Sequence, residues 1–240
     1  MSQEPGDPAP PTPGRAMTIV VCALNEERWI RGTVEALVPI ADDVLDTYDL
    51  ILVDDGGTDR TGAIMDELAS RLPRTRVVHN PAPRGLGWMF WEFVSESPYP
   101  HFMMLAGNGE NSQESIRRLM TEAGSADLIV GYRTGHQRSL ARWAISAGFQ
   151  RTMSLALGVG HIKDWTGMFV WPVAAVRRLE RMPPTNVYSV EVLLKLLEAG
   201  VSIKQVAAPQ GPDRAMSKVV GWKTLRQTLA LLWNEKGRRF

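Results

Sequence analysis

The stretch Ile51-Leu52-Val53-Asp54-Asp55-Gly56-Gly57-Thr58-Asp59 is an apolar run that ends in two carboxylates and a glycine turn. Such a run predicts a strand from Leu50 to Val53, buried on both faces. From Thr61 to Leu72 the period changes to helical, with Ile64, Leu68 and Leu72 on one face. The same alternation precedes it: Thr18 to Ala23 is a continuous apolar run, Asn25-Glu26 closes it, and Glu27 to Val38 carries Ile30, Val34 and Leu37 at helical spacing. Further strands are expected over Val77 to His79, His101 to Leu105 and Asp127 to Val130. The helix between the last two is expected to start at Asn111, with Glu114 completing a capping box. Strands alternating with helices predict an α/β protein with a single mostly parallel sheet flanked by helices.

The bulk numbers fit one domain. At 240 residues the chain is long enough for one large α/β unit, with 44% hydrophobic and 22% charged residues. A formal net charge of +1 gives no overall pull toward nucleic acid, and no nucleic-acid partner is expected. The single cysteine, Cys22, lies inside an apolar strand, which makes it a packed thiol and fits a reducing, cytoplasmic setting. Residues 1–16 hold five of the sixteen prolines and no apolar segment, so they read as a disordered tail and not as a signal peptide. No apolar run approaches the roughly 20 residues needed to span a bilayer, which leaves contact at a membrane surface. Residues 17–220 then form the domain, and 221–240 a basic C-terminal helix. In that last part Trp222, Leu225, Leu229, Leu232 and Trp233 recur at helical spacing, and residues 214 to 240 hold seven Lys or Arg against one Glu. The pattern fits a peripheral helix on an anionic bilayer and equally a helix docked on the domain.

In open sheets of this kind a ligand sits beyond the carboxyl ends of the strands. Three polar clusters fall there: Asn25-Glu26, Asp54-Asp55, and Asn108-Gly109-Glu110. Each alone is an ordinary turn or cap, but three converging on one edge point to a site. No G-x-G-x-x-G or G-x-x-x-x-G-K-[ST] follows any strand, which disfavours a dinucleotide fold.

The residues resemble the inverting family 2 glycosyltransferases of GT-A fold, in particular the polyprenyl-phosphate sugar transferases of dolichyl-phosphate mannose synthase type. The match runs roughly from Met17 to Lys218. Its most specific piece is Val53 to Thr61, which differs from V-D-D-G-S-x-D-x-T by glycine in place of serine at Gly57. Asn25-Glu26 matches the N-E pair, and Asn80 with Arg84-Gly85-Leu86-Gly87 resembles the N-x-G-x-G segment. Gly131-Tyr132-Arg133 looks like G-S-R, Asp164-Trp165-Thr166-Gly167-Met168-Phe169 like D-x-T-S-G-F, and Arg214 to Lys218 like R-x-x-G-x-S-K.

The resemblance implies a UDP- or GDP-sugar donor and a polyprenyl-phosphate acceptor. It implies donor-binding roles for Asn25, Glu26, Asp54, Asp55, Arg84, Asn108, Arg214 and Lys218, and catalytic, acceptor-side roles for Asp164, Arg133 and Glu191. Asp54 and Asp55 would face the base and ribose, and Asp59 would serve the turn. Arg133, with Arg138 and Arg142, would grip an acceptor phosphate. The family's D-x-D motif holds Mg²⁺ or Mn²⁺, but the aligned positions here are Ala106, Asn108 and Glu110. Three accounts are open: Asn108 and Glu110 hold a cation together with the donor's phosphates; Arg133, Arg214 and Lys218 replace it; or the protein binds a nucleotide sugar without turnover. A soluble transferase acting on a small hydroxylated acceptor is the alternative reaction. The aromatic cluster Trp88, Phe90, Trp91 and Phe93 is expected to pack in the core.

Overall fold

Every residue of the first strand, β1 (Ala16–Ala23), is buried, and the reason is visible in its neighbours. Ile19 and Val21 face one apolar layer while Val20 and Cys22 face another, so a strand covered on both sides has no polar face to offer. The computed structural model describes residues 14–134, 151, 162–182 and 184–209. The expectations for residues 1–13 of the 1–16 tail, for Arg138 and Arg142, for Arg214 and Lys218, and for the segment 221–240 lie outside them; the end of that tail is corrected, since Ala16 is buried and already pairs in β1.

After β1 come α1 (Ile30–Val44), β2 (Thr47–Asp54), α2 (Thr61–Ala69), β3 (Thr75–His79), α3 (Leu86–Glu96), β4 (His101–Ala106), α4 (Gln113–Thr121) and β5 (Leu128–Thr134). The described chain ends with β6 (Phe169–Pro172), α5 (Val173–Arg177), α6 (Tyr188–Glu198) and β7 (Ile203–Pro209). The seven strands form one sheet in the order β3-β2-β1-β4-β6-β5-β7. Strand β6 runs antiparallel to β4 and β5, and the other described pairs are parallel. One core layer carries α1, α2 and α4; the other carries α3, α5 and α6 with the aromatic cluster. Phe90, Trp91 and Phe93 are buried there, and Phe90 meets Trp171 edge-on at 5.3 Å.

Three details depart from the expected pattern. Helix α1 runs through Pro39, because that ring lies on the exposed face, where the carbonyl it strands, that of Glu35, can bond water. Helix α4 starts two residues after Asn111, which is extended. Its cap is Ser112, whose Oγ accepts from Ser115 N at 3.2 Å, while Glu114 pairs with Arg118. Strands β6 and β7 were absent from the pattern: β6 has only four residues, and β7 mixes Lys and Gln into a half-buried run.

Candidate functional site

The parallel strands β1, β2, β3, β4 and β5 all finish on one edge of the sheet, and antiparallel β6 begins there. The loops beyond that edge carry the polar clusters, each by its own local logic.

Beyond β1, Asn25 adopts φ 56°, a region asparagine tolerates better than most residues. Its Oδ1 accepts from Thr58 N at 2.7 Å and Asp59 N at 3.3 Å, tying the first loop to the second. Asp59 completes the strap by accepting from Glu27 N at 3.1 Å and Thr61 N at 2.9 Å, and Glu26 N donates to Thr61 Oγ1 at 2.8 Å.

Beyond β2 the two aspartates divide the work. Asp55, 5% exposed, accepts from Asn80 Nδ2 at 2.8 Å, Arg84 N at 2.8 Å and Gly85 N at 3.0 Å. One carboxylate thus fixes the whole segment from 80 to 85, with Gly85 at φ 86°. Arg84 lays its guanidinium 3.2 Å above the centre of the Trp88 ring. Asp54, 9% exposed, accepts from Gly57 N at 2.9 Å. A Cβ at position 57 would lie 2.6 Å from Asp54 Oδ1, so Gly57 is what lets its amide come this close.

Beyond β4, Gly107 N donates to Cys22 O at 2.8 Å and Thr33 Oγ1 to Gly107 O at 3.0 Å, which anchors the loop to β1 and α1. Asn108 and Glu110 then bond each other: Asn108 Nδ2 donates to Glu110 Oε2 at 3.1 Å, and Glu110 N to Asn108 Oδ1 at 3.0 Å. Among the described residues no three His, Cys, Asp or Glu side chains gather as a metal site. One carboxylate and one amide oxygen are too few hard ligands to hold a divalent cation alone, but they fit one that arrives with phosphate oxygens and keeps its waters.

Near the end of β5, Arg133 Nε donates to Asp164 Oδ2 at 2.7 Å and its Nη2 to Asp164 Oδ1 at 2.8 Å, a two-pronged pairing, and Nη2 also bonds Thr166 Oγ1. Its Nη1 makes no hydrogen bond among the described residues. Asp164 is 4% exposed. Burial alone would raise its carboxyl pKa, but the Arg133 fork and the amides of Thr166 and Arg133 outweigh burial and hold it below the usual carboxylate range. A carboxylate so held is a poor proton acceptor. Gly167 makes the approach possible, since a Cβ there would meet Gly131 O at 1.8 Å.

Glu191 stands apart from this pair, in the first turn of α6, where its Oε2 accepts from Thr185 Oγ1 at 3.0 Å. The backbone of Thr185 abuts Gly87 at the start of α3. The edge therefore joins Asn25, Asp54, Asp55 and the Arg84 backbone in one connected net, carries Asn108-Glu110 beyond β4 and the Arg133-Asp164 pair at the end of β5, and links Glu191 to the start of α3 through Thr185. Cys22 is packing as expected, with burial pushing its thiol up. His79 escaped the sequence reading. It closes β3 immediately before Asn80, and a histidine at a strand end beside the polar loops was the available signal.

The model of glycosyl transferase family 2 matches residues 18–180. Over 143 residues the chain is 28% identical to the polyprenol monophosphomannose synthase of Mycolicibacterium smegmatis, covering 57% of this chain and 52% of that protein. Over 107 residues it is 27% identical to the undecaprenyl-phosphate mannosyltransferase of Micrococcus luteus, covering 43% and 44%. The chain thus spans about half the length of the curated relatives it matches. Among solved structures, glucosyl-3-phosphoglycerate synthase from Mycobacterium tuberculosis with Mn²⁺, UDP and phosphoglyceric acid superposes with a TM-score of 0.71 at 19% identity, over 92% of this chain and 78% of that one. The same protein with Mn²⁺ and UDP-glucose gives 0.70 at 20% identity, over 93% and 80%. That likeness shows the GT-A fold, and the family match over most of the sheet shows the lineage: the chain belongs to glycosyl transferase family 2.

Proposed function

We propose that this chain is an inverting glycosyltransferase that moves a sugar from a UDP- or GDP-sugar to a polyprenyl phosphate at the inner face of a membrane. The observation that carries the reading is the Arg133-Asp164 pair. Asp164 is ionised, buried and committed to the guanidinium, which makes it a positioning residue rather than a base. An acceptor hydroxyl would need a base there, whereas an acceptor phosphate is already ionised at neutral pH and needs only a cation to orient it. Arg133 Nη1 is that cation's spare donor. In the transfer, a phosphate oxygen bonds the anomeric carbon from the face opposite the leaving group. The bond from that carbon to the donor's diphosphate breaks, and its electron pair leaves with the nucleotide. Asn25, Glu26, Asp54, Asp55 and Arg84 form the wall for the nucleoside, and Arg214 and Lys218 are assigned to the diphosphate. A divalent cation bound by Glu110, Asn108 and the donor's own phosphates would supply neutralisation of the departing charge.

The mannosyltransferase relatives support the lipid-phosphate acceptor by their names. No helix among the described residues is long and apolar enough to cross a membrane, and the basic segment 221–240 is assigned to an anionic lipid surface. A second reading is transfer to a small hydroxylated acceptor, with Glu191, in the first turn of α6, as the acceptor-side carboxylate in place of Asp164.

Labelled UDP- and GDP-sugars offered with a short polyprenyl phosphate in detergent, or with small hydroxylated acids, separate the two. Label is expected in the lipid phosphate; label in the small acceptor alone would reverse the assignment. Asp54→Ala is expected to weaken nucleotide binding by at least tenfold, about 1.4 kcal/mol. Unchanged affinity for both UDP and GDP by calorimetry, in a folded variant, would remove Asp54 from the donor wall.

A further inference from the structure

His79 sits between two carboxylates from two different elements. Its Nε2 lies 3.0 Å from Oδ1 of Asp66 on α2, and its Nδ1 lies 3.5 Å from Oδ2 of Asp54 at the end of β2. These are the titratable groups that face its ring. The ring reaches Asp54 because position 62 has no side chain: a Cβ on Gly62 would stand 2.6 Å from Asp54 Oδ2 and 3.1 Å from His79 Nδ1. Asp54's other oxygen accepts from Gly57 N, so the carboxylate has a hydrogen bond on one side and the imidazole ring on the other.

The two ring nitrogens set the chemistry. A neutral imidazole carries one N–H and can donate to only one of the two aspartates, leaving a lone pair aimed at the other. Only the imidazolium donates to both. The chain Asp66, His79, Asp54 is therefore complete only when His79 is protonated, and Asp54 is the member that faces the candidate donor pocket.

We propose that His79 is a positioning residue of the donor pocket: as an imidazolium clamped by Asp66 it orients the Asp54 carboxylate, and nucleotide binding weakens when the ring loses its proton. This rests on the reading of Asp54 as part of the nucleoside wall. The hydrogen bond to Asp66 is the main influence that raises the pKa of His79; partial burial opposes it and Asp54 adds to it. A raised folded-state value means that the charged clamp is present at and below the ordinary histidine range and is lost as pH rises through the folded value. Asp66 lies outside the pocket, largely exposed, yet it sets where on the pH scale that loss occurs.

The test is calorimetry with UDP and GDP as probes, from about pH 6 to pH 9, on the full chain and on His79→Gln, Asp66→Asn and Asp54→Ala. Imidazole NMR reports the His79 titration directly. In the wild type, affinity should fall about fivefold as His79 deprotonates, the upper range for a partly exposed ion pair. Asp66→Asn should carry both the NMR midpoint and the affinity step to lower pH. His79→Gln should bind more weakly below the step and show no step at all, with the effect in turnover falling on donor KM rather than on kcat. The nucleotide's own phosphate titration is common to all four proteins and cancels in the comparison. Affinity profiles for His79→Gln and Asp66→Asn that superimpose on the wild type, while Asp54→Ala still weakens binding, would overturn the proposal and leave the donor pocket standing. If Asp54→Ala binds as well as the wild type, the donor reading itself fails and takes this proposal with it.

Discussion

Arg133→Ala should cost on the order of 10²-fold or more in transfer, as for loss of one preorganised electrostatic group, and at the same time destabilise the fold by about 3 kcal/mol. The two losses have different origins. The first follows from the proposed grip on the acceptor phosphate and should appear mainly in the acceptor's KM at low occupancy and in kcat/KM throughout. The second follows from Asp164, which stays buried after losing the two-pronged fork; the low end of the range for a broken buried pair applies because the Arg133 side chain is 28% exposed. Arg133→Lys restores a charge but not the fork, so it should recover more stability than activity. The pH dependence has a definite sign. Because the folded-state pKa of Asp164 is depressed, its contribution is present above the ordinary carboxylate value of about 3.9 and is lost as pH falls toward the lower folded value. Urea unfolding of Arg133→Ala should therefore lose part of the wild-type fall in stability below about pH 4. A variant as stable and as active as the wild type would mean that Arg133 is a surface group with no part in the site.

Glu110 is the residue on which metal dependence turns. With Ala106 and Asn108 at the other two positions, it is the single carboxylate of its loop, and a site with so little protein charge should need about millimolar rather than micromolar Mg²⁺ or Mn²⁺. Glu110→Gln should then lose on the order of 10³-fold in transfer while keeping the fold, since the side chain is exposed and its loop is held by Gly107 and Asn108. Asn108→Asp, which adds a second carboxylate, should lower the metal concentration for half-maximal rate. The opposite outcome is equally plain: full turnover in EDTA together with an active Glu110→Gln protein would pass the leaving-group charge to Arg133, Arg214 and Lys218. In that case Arg214→Ala, and not Glu110→Gln, should carry the large loss.

Five of the seven strands were legible in the chain and two were not, and the division is physical. Strands β1 and β2 are buried on both faces, so their composition alone marks them, and their polar ends stand out against it. Asn25, Asp54 and Asp55 could be found because each follows such a run directly. The rest depends on contacts between residues distant in sequence. Strand β6 owes its place to pairing with β4 and β5 rather than to any pattern in Phe169 to Pro172. Arg133 and Asp164 could be suspected separately, but nothing in either motif says that they bind each other, and it is that pairing which turns Asp164 from a candidate base into a holder of the arginine. The helix after Glu110 was placed one cap too early because Asn111 and Ser112 are both good cap residues and only the extended pairing of Asn111 decides between them. His79 stands at a strand end just before Asn80, but its two partners come from α2 and β2, and no spacing along the chain ties the three together.

The reversed strand β6 has a consequence for how the molecule holds together in time. Among the described strands it is the one that joins those leading to Asn25, Asp54 and Glu110 with β5, which carries Arg133. Its ladder is short: Phe102 and His101 pair with Trp171 and Pro172 on one side, and Ile129 and Val130 with Val170 and Phe169 on the other. Pro172 has no N–H to contribute. What secures the joint is aromatic packing, with Phe169 stacked on Trp171 at 4.4 Å and Phe90 against Trp171. The ladders of β1 with β2 and with β4 are several times longer, so this joint is the one held by the fewest backbone pairs. A joint this thin should let its two sides open separately, with amide hydrogens in β5 and β7 exchanging with solvent sooner than those in β1 and β2.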